Sequence, residues 1–188
     1  FSFFTTGRVK WNVLIAAERG KDMGLFEIDA KNFCWVHGSK DDPTDLCLHG
    51  DAAARIGDIW LCYNYATVSS TGLYLLKSLT EDHIIYEDNQ MFPCCGFSFF
   101  PDESLQNVYI CGCPNGVDWT ILHKEKKICL IPDGGQEVAV SLEEYRKEVF
   151  NFADKVEAYY KRCSPKVFYD EEVKNAYHIF WQEWHRRR

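Results

Sequence analysis

Residues 141–163 read SLEEYRKEVFNFADKVEAYYKRC, and this stretch decides the fold class. Leu142, Tyr145, Val149, Phe152, Val156, Tyr159 and Cys163 recur at alternating intervals of three and four residues. That spacing gathers them on one stripe of an α-helix. Ser141 and Glu144 form a capping box, in which each side chain satisfies a backbone N–H that the first helical turn leaves unpaired. Ser164-Pro165 stops the helix, because proline cannot continue the hydrogen-bond ladder. A second helix starts near Asp170, with acidic residues in its first turn and basic ones at its end, as the helix dipole favours. Its stripe is Val173, Tyr177, Phe180 and Trp184. The short connection makes the two helices an αα-hairpin. Such stripes are read as faces packed on a sheet or on each other. The competing reading is a groove for a partner helix.

The chain before residue 141 is built from short β-rich pieces. VKWNVLIAAE (9–18) and GLFEIDA (24–30) read as two strands of a hairpin. DAKNFCWVHGSKDDPTD (29–45) is turn-rich. LCLHGDAAARIGDIWLCYN (46–64) reads as two strands around Gly57-Asp58. A mid-chain helix follows, with Ser69 or Ser70 as its cap, Leu73, Leu76 and Leu79 on one face, and an end near Asp82. HIIYED, MFPCCGFSFF, NVYICGC, VDWTILH, KICLI and QEVAVS then read as an antiparallel meander. Pro114-Asn115-Gly116 signals a hairpin, because Asn-Gly tolerates the positive φ of tight turns. Asp133-Gly134-Gly135 marks another turn. The expected fold is α+β: a largely antiparallel sheet with one mid-chain helix and a C-terminal αα-hairpin. It is expected to form a single domain over residues 1–188, sheet-rich over 1–140 and a helical hairpin over 141–188.

Composition bounds the function. At 188 residues a folding chain removes roughly 70% of its surface from water, enough for a core without metal or disulfide support. Acidic residues number 28 and basic ones 21, a formal charge of −7. That balance argues against a nucleic-acid partner, which requires a positive footprint. It permits a basic protein partner, whose encounter it would steer, while the plainer and favoured reading is an ordinary solubility charge. No apolar run approaches the roughly 20 residues of a membrane helix. Nine cysteines in a chain of this size, without a signal-like opening segment, point to a reducing, cytoplasmic setting with mostly free thiols. The chain begins at Phe1, which leaves a removed leader open.

Four cysteines fall in two clusters, Cys94-Cys95 and Cys111-Gly112-Cys113. Zinc takes four tetrahedral ligands, commonly thiolate or imidazole. Neither cluster has C-x-x-C spacing, and adjacent cysteines on a strand point to opposite faces. Cys111 and Cys113 would share a face. One of Cys94 or Cys95, with Cys111, Cys113 and His123, could still complete a site, and Cys95 is the candidate from the first pair. The favoured reading is that these cysteines serve as small buried apolar residues. A Cys113, His123 and Asp118 trio for nucleophilic catalysis can be assembled on paper, but such trios are defined by geometry. A thioredoxin-like role is weaker still, since neither cluster precedes a helix. His49 and His123 sit at strand ends and could be ligands or bases. Phosphate-binding glycine loops, H-E-x-x-H and G-x-S-x-G are missing from the sequence, which lowers the expectation of an enzyme. Trp11, Trp35, Trp60, Trp119, Trp181 and Trp184 do not fall into one core by pattern. With Phe97, Phe99 and Phe100 they offer either a large aromatic core or an interface with acidic neighbours.

DLCLHGD (45–51), PCCG (93–96), GCPNGVDW (112–119), SLEEYRKEVFNFADKVEAYY (141–160) and FWQEWHRRR (180–188) resemble a family of small bacterial proteins to which no function is assigned. The resemblance covers most of the chain and brings no catalytic residues with it. A looser likeness, in the order of sheet and closing helices, is to SMI1/KNR4-like toxin-immunity proteins. That likeness implies stoichiometric binding of a toxin domain through acidic and aromatic surface residues. The expected function is therefore a non-catalytic cytoplasmic protein-binding module without a cofactor. The alternative is a structural or hydrolytic zinc domain using Cys95, Cys111, Cys113 and His123.

Overall fold

The computed structural model describes residues 24–87, 89–96, 98–112 and 115–188. The strand expected over 9–18, and its hairpin with 24–30, lie outside them. In Phe26–Cys34 (β1) alternate side chains Phe26, Ile28 and Ala30 are buried, as a strand with one face in the core requires. A bulge between Lys31 and Cys34 then shifts the phase, and Phe33 and Cys34 become the buried residues. The strand thus extends into the segment read as turn-rich. β1 pairs antiparallel with His49–Ile56 (β2), which pairs with Ile59–Thr67 (β3). The turn between β2 and β3 falls at Gly57-Asp58, as expected. Ala52 and Ala54 present almost no bulk on the sheet's inner face, which lets helices approach closely.

β3 passes directly into the mid-chain helix, Val68–Lys77 (α1). Its cap differs from expectation. Thr67 is the N-cap residue and its side chain makes no capping bond. Ser69 and Ser70 lie inside the first turn and are spent on tertiary contacts. Ser69 Oγ accepts from Leu48 N–H at 3.1 Å, and Ser70 Oγ donates to the Gly96 carbonyl at 3.2 Å. The helix also stops at Lys77, short of Asp82. The described residues 83–87 of HIIYED form no strand: His83 makes an isolated bridge to Ile121.

Four strands follow as the two arms of one long hairpin: Phe92–Pro93 (β4), Ser98–Pro101 (β5), Val108–Cys111 (β6) and Gly116–Val117 (β7). β5 pairs with β6, and β4 with β7. The two pairings share one register. Phe92 faces Val117, Ser98 faces Cys111 and Pro101 faces Val108, so residue numbers of facing pairs keep a constant sum. Asn115-Gly116 therefore lies along an arm of this hairpin instead of turning between β6 and β7. Trp119–Lys124 (β8), Lys127–Pro132 (β9) and Val138–Ser141 (β10) form a three-stranded antiparallel meander, made from the last three of the six pieces expected to join in one.

β10 runs without a linker into Leu142–Tyr160 (α2), whose capping box is the one read from Ser141 and Glu144. Asp170 caps Glu171–Arg187 (α3) by accepting from Val173 N–H at 2.8 Å. The two helices run antiparallel. Tyr160 meets Trp181 ring to ring at 5.0 Å, Glu157 meets His185 at 3.2 Å, and Asp154 meets Arg188 at 2.6 Å. The αα-hairpin and the α+β class stand as expected. Tyr160, one residue past the expected Tyr159, is the more buried of the two, and its hydroxyl donates to the Leu46 carbonyl at 2.8 Å.

The core joins the inner face of β1–β3, the helices and the inward face of the long hairpin. α1 and α3 cross at Gly72, where any Cβ would collide with the six-membered ring of Trp184. Gly72→Ala sets a helix-propensity gain of about 1 kcal/mol against an overpacking cost of roughly 1–3 kcal/mol. The expected outcome is a lower midpoint in thermal unfolding followed by circular dichroism. Adding Trp184→Phe to Gly72→Ala is expected to recover part of that loss, because the smaller ring leaves room for the new methyl group.

Candidate functional site

At its tip the long hairpin closes with an Asp102 N–H bond to the Asn107 carbonyl at 2.9 Å. In an antiparallel pair, hydrogen-bonded and non-bonded residue pairs alternate. Phe100–Tyr109 and Ser98–Cys111 are therefore hydrogen-bonded pairs. Pro101–Val108 and Phe99–Ile110 are non-bonded pairs, whose backbone groups point away from the partner strand. Side chains alternate as well: Phe99, Val108 and Ile110 are buried, while Phe100 and Tyr109 face solvent. These two rings are directly cross-strand neighbours and are 53% and 58% exposed.

The loop that joins them is held rigidly. Asp102 accepts from Asn107 Nδ2 at 2.6 Å, from Ser104 Oγ at 2.8 Å and from Gln106 N–H at 3.1 Å. These bonds, led by those from the Asn107 and Ser104 side chains, hold the Asp102 carboxyl far below the usual carboxylate range. Leu105 takes φ 56°, a left-handed conformation uncommon for a residue with a Cβ, and stands 61% exposed. Glu103 is exposed beside it. The hairpin tip is thus an aromatic and apolar face with acidic neighbours.

A cleft of about 370 Å³ runs along the outer side of β6, with Val108, Tyr109 and Ile110 on one wall. Opposite them stand Glu81, Asp82, His83 and Glu87. The charges here are extensively paired. Glu81 meets Arg187 at 2.6 Å, Asp82 meets His123 Nδ1 at 2.8 Å, and His83 Nε2 meets Asp118 at 2.7 Å. Asp118 also accepts from Met91 N–H at 3.0 Å. Behind β6 lies Glu183 of α3, with no exposed surface. Its carboxylate accepts from Val108 N–H at 2.7 Å and Arg187 Nε at 2.8 Å, and faces Lys77 Nζ at 3.3 Å. Sequence reasoning missed Glu183, which looks like one more acid on a charged helix end.

The candidate metal ligands are distributed as follows. Cys95 is half-buried and Cys111 is exposed, on facing arms of the hairpin. The arms pass closely enough that a Cβ on Gly112 would lie 2.6 Å from the Cys95 carbonyl oxygen. His123 is on β8, bonded to Asp82 through Nδ1, and its Nε2 is enclosed without a hydrogen-bond partner. Cys113 lies outside the described residues. Among the described residues no group of three or more His, Cys, Asp or Glu is placed to hold a metal ion. Cys94 is disulfide-bonded, and its Sγ lies 3.8 Å from that of Cys95. Cys34, Cys47, Cys62, Cys111, Cys129 and Cys163 are free thiols.

The paper trio of Cys113, His123 and Asp118 is regrouped. Asp118 pairs with His83, and His123 pairs with Asp82. A His–Asp pair can orient a base toward a nucleophile. Ser78, the hydroxyl in the same cleft, is engaged by the Leu75 carbonyl at 2.8 Å and the Tyr145 hydroxyl at 2.7 Å. Of the tryptophans, Trp35, Trp119 and Trp184 are wholly buried, Trp60 is exposed, and Trp11 lies outside the described residues. Among the described residues most of the aromatic load is core, and the exposed remainder is what a surface can use.

No helix among the described residues is long and apolar enough to cross a membrane. No protein-family model matches the chain, and no curated protein or solved structure resembles it closely enough to count as a match.

His49 is buried in β2, stacked on Tyr65 at 4.6 Å, with its Nδ1 unpartnered. Burial holds its pKa below the ordinary histidine value. A depressed folded-state pKa means that protons bind the unfolded chain more readily, so stability is lost as pH falls through about 6.5 and below. Urea unfolding across about pH 5 to 8, the range in which histidine changes charge, is expected to show a smaller acid-side loss for His49→Gln than for the parent chain.

Proposed function

We propose that this chain is a non-catalytic, cytoplasmic protein-binding module that engages a basic partner through the face and tip of the β5–β6 hairpin. The observation that carries the reading is the exposed cross-strand pair Phe100–Tyr109 beside Leu105. Binding energy at protein interfaces concentrates in a few aromatic anchors, and a surface ordered before binding loses less entropy on contact. Asp102 supplies that order by its bonds to the loop. The formal charge of −7 favours a basic partner through steering of the encounter. Stoichiometric neutralisation of a toxin domain, the immunity-like mode, fits this surface and needs no catalytic group. The free thiols at Cys34, Cys47, Cys62, Cys111, Cys129 and Cys163 support the cytoplasmic setting. There the Cys94 disulfide would be of the transient kind that reducing compartments allow.

The reading is tested by placing a photo-crosslinking phenylalanine analogue at Phe100 or Tyr109 in host cells, with Tyr169, 96% exposed on another part of the surface, as the control. One protein is expected to be captured from the two hairpin positions and not from the control. Its affinity, measured by calorimetry, is expected to fall roughly tenfold or more on Tyr109→Ser, the loss of one anchor, with the melting temperature unchanged. Equal capture from all three positions would remove the reading.

The zinc alternative has one observation in its favour, the enclosed Nε2 of His123 with no partner. Elemental analysis of protein purified without a metal-affinity step decides it. The expected result is substoichiometric zinc and a melting temperature that a chelator leaves alone. One zinc per chain would establish the alternative.

A further inference from the structure

We propose that Glu183 is the positioning residue of the hairpin face, acting through Val108 with Lys77 as its counterpart, and that the pair closes the edge of β6 to strand pairing. Val108 belongs to a non-bonded pair of the hairpin, so both of its backbone groups point outward. A strand edge with unpaired N–H and C=O groups is a template for another strand. Here both groups are taken by side chains from two different helices. Val108 N–H donates to Glu183 Oε2 at 2.7 Å, and the Val108 carbonyl accepts from Lys77 Nζ at 2.9 Å. Lys77 and Glu183 are themselves 3.3 Å apart. An ion pair therefore sits where a neighbouring strand's amide would sit. Farther along, the Tyr74 hydroxyl reaches the Ile110 carbonyl at 3.4 Å.

The opposite edge is closed by other means. Pro101 faces Val108 and occupies the outward-pointing position with no N–H to offer. With Val108 occupied and Pro101 lacking an N–H, the Pro101–Val108 pair offers no strand a full set of backbone partners, and the side-chain face is what remains to meet another protein there. Tyr109 follows Val108 directly, so the lock that fixes one residue's backbone fixes the next residue's ring. Arg187 keeps a second carboxylate, Glu81, at 2.6 Å. Removing Glu183 thus leaves no stranded cation from that side.

The inference rests on the binding reading only for the purpose of holding Tyr109, and the lock is measured without any partner. Lys77→Met with Glu183→Leu exchanges the pair for apolar groups of similar length, a change buried ion pairs often tolerate. In dilute solution the Val108 amide of this double variant is expected to exchange on the order of tenfold faster or more, the loss of one charge-assisted hydrogen bond. The Val149 and Phe152 amides of α2 are expected to keep their parent rates. At higher concentration sedimentation is expected to show self-association, by pairing of the opened β6 edges of two copies. Glu183→Gln keeps an acceptor for Val108 and is expected to retain both its slow exchange and the monomer. A double variant with parent exchange at Val108, or one that stays monomeric at every concentration, overturns the proposal. Should the double variant not fold, Glu183→Gln decides. Slow exchange at Val108 with a lower melting temperature supports the lock, and fast exchange at Val108 and α2 alike overturns it. Loss of crosslinking at Phe100 with the lock intact would remove the binding reading alone.

Discussion

A carboxylate without access to water must be met by donors, because burying an unpaired charge costs several kcal/mol. Glu183 has no exposed surface, and the donors it finds come from three places: the β6 backbone, α1 and its own helix. One side chain therefore holds α1, α3 and the hairpin in a single arrangement. The hydrophobic contacts around it, Trp184 on Gly72 and Phe180 stacked on Phe99 at 4.9 Å, are larger in area but less demanding in geometry. Apolar packing brings these elements together, and the charge specifies which backbone atoms must meet.

That specification explains why the hairpin can carry an exposed aromatic pair. Aromatic rings on a flexible ribbon would collapse onto the nearest apolar surface. This ribbon has its inward residues Phe99 and Ile110 in the core, its tip fixed by Asp102 and the Val108 backbone held by Glu183 and Lys77. The side chains left over are those with no intramolecular task. The same logic separates the two groups of histidines. His83 and His123 are each tied to an aspartate, whereas burial dominates at His49 and holds its pKa below the ordinary histidine value.

What could be read from the sequence was what depends on near neighbours. The Ser141–Glu144 box, the stripe through Tyr145, Val149, Phe152 and Val156, the Asp170 cap and the β8–β9–β10 meander all rest on spacings of a few residues. What escaped depends on distant partners. Glu183 and Val108 are 75 positions apart, and no local pattern marks a buried acid in EWHRRR. Ser69 and Ser70 look like caps, but Leu48 and Gly96 claim their hydroxyls. Asn115-Gly116 has the chemistry of a tight turn, yet Gly116 pairs with Pro93 and Val117 with Phe92 along an arm of the hairpin. The hairpin stretch itself was legible as two strands around an acidic loop. Which of its faces met solvent was not, because that depends on α3.

The separation of Glu183 from Val108 also has a meaning in time. A ribosome adds roughly 5–20 residues per second, so the 75 positions between them correspond to a delay on the order of ten seconds. Throughout that interval the hairpin exists without the carboxylate that occupies its edge, and the groove over Gly72 exists without Trp184. The nascent chain is then at its most adhesive, with an open strand edge beside uncovered aromatic surface. Anything that slows synthesis of α3 lengthens this exposure.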